Sequence, residues 1–339
     1  MKMIKRNSHW VSLGLFLLPL LLAPQQAVSA QDGYPNKPIR LILGVAPGGA
    51  METAARQWMP YLEKDLGVPI RLDSIPGAEG IIANRTAAAA EPDGYTFVQM
   101  PLSFLPAQTL IFKAPYDFNA FEIISNYITD PMVIMVHKDS QWKTLKELIA
   151  YAKSKPEGTL NFGQSSLTAP AALVLHALEE AVGIKLNIVS FNGGGPSRLA
   201  LAGRHTDASL TGLFASASIS EFVRVLGVAQ EKNLWEKESK NAPTLNKELG
   251  ITIPQAADTI SLFAPAGFSK RYPERAKKFS TAFFRVFENP SYRAAIQKLG
   301  DAGRVLPRTA EESQRLLLAD YELYKQYAHL FKDYKLQKK

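Results

Sequence analysis

The chain has 339 residues, no cysteine, and 39 basic against 31 acidic side chains, for a formal charge of +8. Without cysteine it has neither disulfides nor thiolate metal sites. Lys and Arg are scattered among acids instead of forming a basic stripe, which argues against a nucleic-acid surface.

Residues 1–30 form the first predicted element. Lys2, Lys5 and Arg6 precede an apolar run over 11–23, and Val28-Ser29-Ala30 supplies small residues for cleavage. This is the pattern of a signal peptide cut after Ala30, with export to the periplasm. The run is shorter than the roughly 20 residues a spanning helix needs, and Gly14 and Pro19 interrupt it. The first thirty residues hold no acid, so removing their three basic side chains from +8 leaves +5. A balance that small favours anionic ligands only weakly. The mature chain, roughly 300 residues, exceeds what one core fills, so two lobes are expected.

Strand and helix patterns then alternate, as in an α/β sheet. Residues 39–45 read as a buried strand broken by Pro47-Gly48-Gly49, and residues 50–66 as a helix with Ala54, Ala55, Trp58, Tyr61 and Leu62 at helical spacing. Strand 68–72, helix 80–90 and strand 95–100 complete a βαβαβ unit. Two strands follow at 121–128 and 132–136, separated by a crossing at Thr129-Asp130-Pro131. A second α/β set comprises helix 143–155, strand 160–162, helix 169–182, strand 186–191, a helix over 196–202, and strands 208–210 and 223–229. Strand 259–264 precedes helices 273–287, 290–299 and 310–332. The last of these stacks Leu316, Leu317, Tyr321, Tyr324, Tyr327 and Phe331 on one side, which predicts packing against a core or between lobes.

Glycine turns that lead from a strand into a helix aim bare N–H groups and the positive end of the helix dipole at one point, where an anion is stabilised. Pro47-Gly48-Gly49-Ala50 is one, and Asn192-Gly193-Gly194-Gly195-Pro196-Ser197 is another, with Pro196 placed at a first helical position. Gly163-Gln164-Ser165-Ser166-Leu167-Thr168 offers hydroxyls that can donate to a ligand or cap the next helix. Singly, each is an ordinary turn or cap; together they point to a shared anion site. Enzyme signatures are missing: there is no Gly-Lys for a Walker loop and no G-x-G-x-x-G, and His137, His176, His205 and His329 have no ligand spacing. Asp207 follows a turn at Gly203 and reads as a ligand contact or a cap.

Several segments occur in an order that resembles the TctC or Bug family, the extracytoplasmic solute receptors of tripartite tricarboxylate transporters. They are Tyr34-Pro35-Asn36-Lys37-Pro38-Ile39-Arg40-Leu41, Ala46-Pro47-Gly48-Gly49, Pro76-Gly77-Ala78, Glu91-Pro92-Asp93-Gly94-Tyr95-Thr96, Thr144-Leu145-Lys146-Glu147-Leu148, Asn161-Phe162-Gly163, Phe191-Asn192-Gly193-Gly194 and Ala264-Pro265-Ala266-Gly267. The resemblance covers nearly the whole mature chain. It implies an α/β fold of the type II periplasmic binding protein kind, with two lobes joined by crossing strands and a ligand cleft between them. The implied boundaries are 31–131 plus 255–339 for lobe 1 and 132–254 for lobe 2.

A ligand carboxylate would then lie between Gly48, Gly49, Ala50, Met51, Glu52 and Ser103 on one jaw and Ser165, Ser166, Thr168, Gly194, Gly195 and Asp207 on the other. The implied protein is a monomer that delivers a small carboxylate to membrane permease subunits, with no catalytic residues, cofactor, metal or nucleic acid. A sensor for a signalling partner, or a hydrolase or isomerase on the same scaffold, are the rivals. The chain departs from the family pattern where Glu52 stands for an aspartate, Glu79 for a glycine, Phe191 and Asn192 for a tyrosine and a lysine, and Thr259 for an aromatic residue. Met51, Phe104 and Phe214 lie near the turns, which leaves room for a ligand with an apolar body.

Overall fold

Ile39, Leu41, Ile42 and Leu43 are all buried, as a parallel strand covered on both faces requires. They form β1 (Ile39–Leu43) of a computed structural model that describes residues 33–45, 47, 50–191 and 193–331. The signal peptide expected over 1–30 lies outside these residues, as do Gly48, Gly49 and Asn192.

The first half continues with α1 (Ala50–Leu66), β2 (Ile70–Ser74), α2 (Ile81–Ala88), β3 (Thr96–Met100) and the short α3 (Phe104–Pro106). After β4 (Phe121–His137) come α4 (Leu145–Lys153), β5 (Asn161–Gln164), α5 (Pro170–Val182), β6 (Asn187–Ser190), α6 (Gly194–Ala202), β7 (Ala208–Gly212), β8 (Val223–Val228) and α7 (Leu245–Leu249). The chain returns through β9 (Ala257–Pro265) and ends in α8 (Phe268–Arg271), α9 (Pro273–Glu288), α10 (Pro290–Lys298) and α11 (Ala310–Gln326). Nine strands follow the order β2-β1-β3-β9-β4-β7-β5-β6, with β8 also on β4. β1 runs parallel to β2 and β3, and β5 parallel to β6 and β7, whereas β9 is antiparallel to both β3 and β4.

β4 corrects one expectation. It is a single strand of 17 residues, not two strands with a crossing between them. Proline lacks the N–H that a ladder uses, yet Pro131 falls where the strand changes partners. Pro131 is opposite Ala257 of β9, and the next residue, Met132, is opposite Gly212 of β7. The Pro131 carbonyl still accepts the Leu213 N–H at 2.9 Å. Irregular register between Ile123 and Ser125, Asn126 and Ile128, and Ile134 and Met135 adds local twist.

Two large cores flank this handover. One joins β3, α1 and α9 through Trp58, Phe97, Phe279 and Phe283, with the Phe97 and Phe279 rings stacked 3.9 Å apart. The other gathers Val136, Leu145, Phe162, Leu175 and Leu210. A smaller cluster of Ala107, Ala172, Leu173, Tyr324 and Phe331 ties both halves to the C-terminal segment. The expected stripe on α11 is therefore partial: Leu317, Tyr324 and Phe331 are buried, but Leu316 is 39% exposed. Its helix also stops at Gln326 before a short turn over Ala328–Phe331. Among the described residues, no helix is long and apolar enough to cross a membrane.

Candidate functional site

In parallel sheets, ligands bind beyond the carboxyl ends of the strands. Here the turns after β1 and β2 come together on one lobe, and the turns after β5 and β6 on the other. A Cβ at Gly44 would stand 2.8 Å from the Gly80 Cα, so glycine is what lets the turns after β1 and β2 touch. On the second lobe the Gly193 N–H donates to the Ser165 carbonyl at 2.9 Å, joining the turns after β6 and β5.

Glu79 bridges the two pairs. Its Oε2 accepts the Ser166 hydroxyl at 2.6 Å and lies 3.5 Å from Thr168 Oγ1. Ser166 and Thr168 also share a hydroxyl contact at 2.9 Å, and the Thr168 N–H donates to Ser166 Oγ at 3.1 Å. These hydroxyls therefore do not cap α5, whose N-cap is Ala169 with no side-chain bond. Gln108 Nε2 donates to the Glu79 carbonyl at 2.6 Å, and Gln108 is itself buried and bonded to Asn84 Nδ2 and the Tyr116 hydroxyl.

A charged group lies behind the second-lobe turns. Nη1 of Arg198, four residues into α6, lies 2.7 Å from where a Cβ on Gly194 would stand, and the Ser165 Cβ is 4.0 Å from the same point. Among the described residues, Arg198 has no hydrogen bond or ion pair within contact distance. Its charge faces Asp258 and Asp130 at longer range, while burial lowers its pKa. Asp130 and Asp258 are paired on β4 and β9. The Asp130 carboxylate accepts the Phe214 and Ala215 N–H groups at 2.9 and 2.8 Å and stands 3.6 Å from Arg304. Burial nevertheless pushes it up to about 7, against the pull of Arg304 and the two amides. Burial raises Asp258 too, opposed by Arg198 and Arg304. Two acids and two guanidinium groups thus meet where both strands link the lobes.

The other sequence-predicted residues divide. Ala50 opens α1, and the Met51 carbonyl takes the Gln99 side-chain amide at 2.7 Å. Gln99 is fixed in turn by the Tyr127 hydroxyl at 2.6 Å, which accepts the Trp58 indole N–H at 3.0 Å. Glu52 is buried and bonded to Arg56 one turn along its own helix at 2.6 Å. Ser103 follows β3, and its hydroxyl is buried beside the Tyr324 side chain. Gly195 lies in the first turn of α6, which begins at Gly194, so Pro196 is third in the helix and not first.

Asp207 does not join the group. Its Oδ2 accepts the Asn161 N–H at 2.8 Å, at the start of β5, while the turn holding Ser165, Ser166 and Thr168 follows the other end of that strand. Phe104 lies against Gly80 and Phe214 against Gly303, and both rings are half-buried. Thr259 Oγ1 accepts the Leu102 N–H at 2.8 Å and so anchors the turn after β3. In the sequence Glu79 stands out only as a departure from the family pattern, and Arg198 belongs to no motif. A basic residue one helical turn past a glycine turn is the signal that could have found it.

Two surface hollows of about 450 and 570 Å³, one beside Glu322 and Leu323 and one lined by Tyr116, Phe118 and Tyr321, involve none of these turns. No cluster of three metal-ligating side chains occurs among the described residues.

The model of the tripartite tricarboxylate transporter family receptor, TctC, matches residues 54–321. A UPF0065 protein in the gbd 5' region of Cupriavidus necator is 32% identical over 281 residues, 82% of this chain and 83% of that protein. Among solved structures, MatC from Rhodopseudomonas palustris with bound malate superimposes with a TM-score of 0.74 at 23% identity, covering 88% of this chain and all of MatC. A second R. palustris protein, with adipate, gives 0.76 at 21% identity over 88% of this chain and 98% of its own. Both structures share the fold of this chain. By its sequence match and its fold, the chain belongs to the TctC receptor family of periplasmic solute-binding proteins.

Proposed function

We propose that the protein captures a small carboxylate between two lobes in the periplasm and delivers it to the permease subunits of a tripartite tricarboxylate-type transporter. The lobes are residues 31–131 plus 255–339 and residues 132–254. The observation that carries this reading is Arg198, a cation without a hydrogen-bonded partner among the described residues, over the Gly194 turn and beside Ser165. A carboxylate placed there meets a guanidinium, the N–H groups opening α6 and the Ser165 hydroxyl, which together favour its charged form. The malate and adipate on the structural relatives fit the same ligand class.

Capture works by closure. Each lobe contributes part of the shell, so the ligand favours the closed arrangement by the contacts it makes only there. β4 and β9 link the lobes and bend as the hinge. No covalent step is involved, and the ligand leaves unchanged.

The test is the melting temperature of the chain from Gln31 onward against a panel of mono-, di- and tricarboxylates and aromatic acids. Ligand at about a hundred times Kd adds about 2.7 kcal/mol to stability, so a saturable upward shift with one acid class is expected. A flat response across the whole panel overturns the proposal.

A further inference from the structure

We infer that Glu79 fills the hydroxyl pair of the opposite lobe with its own carboxylate, and thereby makes the site select monocarboxylates over dicarboxylates. This rests on the carboxylate-capture reading and deepens it. Ser166 and Thr168 are the kind of donors a second ligand carboxylate would use, and both face the same oxygen, Glu79 Oε2, at 2.6 and 3.5 Å. Thr168 is fully buried, so it has no solvent-side alternative.

The bridging carboxylate is held in place. Glu79 sits at φ 55° and ψ 34°, after Ala78 at φ 46°, in the left-handed region that favours glycine. Gln108 fixes its carbonyl at 2.6 Å, and Gln108 is locked by Asn84 at 2.7 Å and by Tyr116. A side chain kept on a strained backbone by a buried amide is a fixed part of the site wall.

Its charge is not cancelled. No Lys or Arg forms an ion pair with Glu79 among the described residues, so only hydroxyl dipoles face it. The cation of the site, Arg198, has its Nη1 2.7 Å from a Cβ position on Gly194 that lies 4.0 Å from the Ser165 Cβ, and Ser165 and Ser166 are consecutive, with Cα atoms about 3.8 Å apart. A ligand carboxylate at Arg198 therefore lies one residue along the turn from the Ser166 hydroxyl that Glu79 holds. A second carboxylate there meets a like charge at close range and finds its donors engaged, whereas a neutral tail meets neither penalty.

Isothermal titration of butyrate, hexanoate, benzoate, succinate, malate and adipate into the mature wild type, Glu79→Gly and Glu79→Gln tests this. Glycine suits the left-handed backbone, and Glu79→Gln keeps the side-chain length without the charge, so one of the two remains informative if the other folds poorly. The wild type is expected to bind a monocarboxylate most tightly. Both variants are expected to tighten the dicarboxylates by at least about tenfold, with monocarboxylates changed by less than about threefold. High salt should narrow the wild-type preference. The same order of preference in all three proteins, or a wild type that already prefers a dicarboxylate, overturns the role of Glu79 and leaves carboxylate capture standing. No binding of any acid to any of the three overturns both.

Discussion

Asp130 and Asp258 stand opposite each other on β4 and β9, so the two strands that connect the lobes carry a pair of facing carboxylates. Arg304 approaches from the C-terminal segment and Arg198 from α6, and each opposes the upward shift that burial imposes on Asp258. A buried cluster of this kind is costly to assemble and more costly to unbalance by removing one member.

The cluster makes stability depend on pH in a defined direction. Asp130 is pushed from 3.8 to about 7 in the folded protein. Between those values the folded state binds the proton more tightly than the unfolded state does. The stabilisation is thus fully present below about pH 4 and is lost as pH rises through about 7. The effect is on the order of a few kcal/mol. Asp130→Asn lowers the melting temperature, since one acceptor facing the Phe214 and Ala215 amides becomes a donor. The gap between wild type and variant should shrink steadily as pH rises from about 4 to 7. A constant gap over that range would mean that Asp130 is ionised throughout.

Close packing behind the second-lobe turns gives a second expectation. A Cβ on Gly163 would lie 2.6 Å from Ser209 Oγ, 3.2 Å from Ser197 Oγ and 3.4 Å from Thr206 Oγ1. None of these three buried hydroxyls has a hydrogen-bond partner among the described residues. Gly163→Ala should destabilise by about 1–3 kcal/mol through overpacking. Ser209→Ala alone should cost little, because the oxygen it removes is unpaired. The double variant should recover most of the loss, since the worst contact is gone. Chemical denaturation of the four proteins measures this as a coupling energy, and strictly additive costs would show that the clash is relieved elsewhere.

Much of the fold could be read in the sequence because its signals are local. The α1 boundaries, 50–66, follow from apolar spacing between a glycine turn and Gly67, and the Thr144 and Glu147 side chains close a capping box at the start of α4. β4 was misread because Pro131 signals a break by the usual rule, and only the sheet order shows that it falls at a change of partner. The site was less legible. The glycine turns are local features, but the meeting of Glu79 with Ser166 spans 87 positions, and no periodicity carries that information. Asp207 shows the same limit: its proximity to a turn is visible in sequence, while the end of the sheet it occupies depends on the parallel pairing of β5 with β7.

The contrast between Arg198 and Asp207 tests the proposed ligand turns against the opposite end of β5. Arg198→Met keeps most of the side-chain length and apolar stem but removes the charge near Gly194 and Ser165. Loss of a charge-assisted contact to a ligand carboxylate should weaken binding at least about tenfold, corresponding to 1.4 kcal/mol or more. Because Arg198 also balances Asp258, the variant should lose some stability, most at high pH where the acids are charged. Asp207→Ala leaves the Asn161 N–H at the start of β5 without its 2.8 Å acceptor and should cost about 1 kcal/mol of stability. It should leave ligand affinity unchanged, since β5 itself separates it from Ser165. Titration calorimetry with whichever acid raises the melting temperature measures both affinities. A large affinity loss in Asp207→Ala together with none in Arg198→Met would move the site to the other end of the sheet.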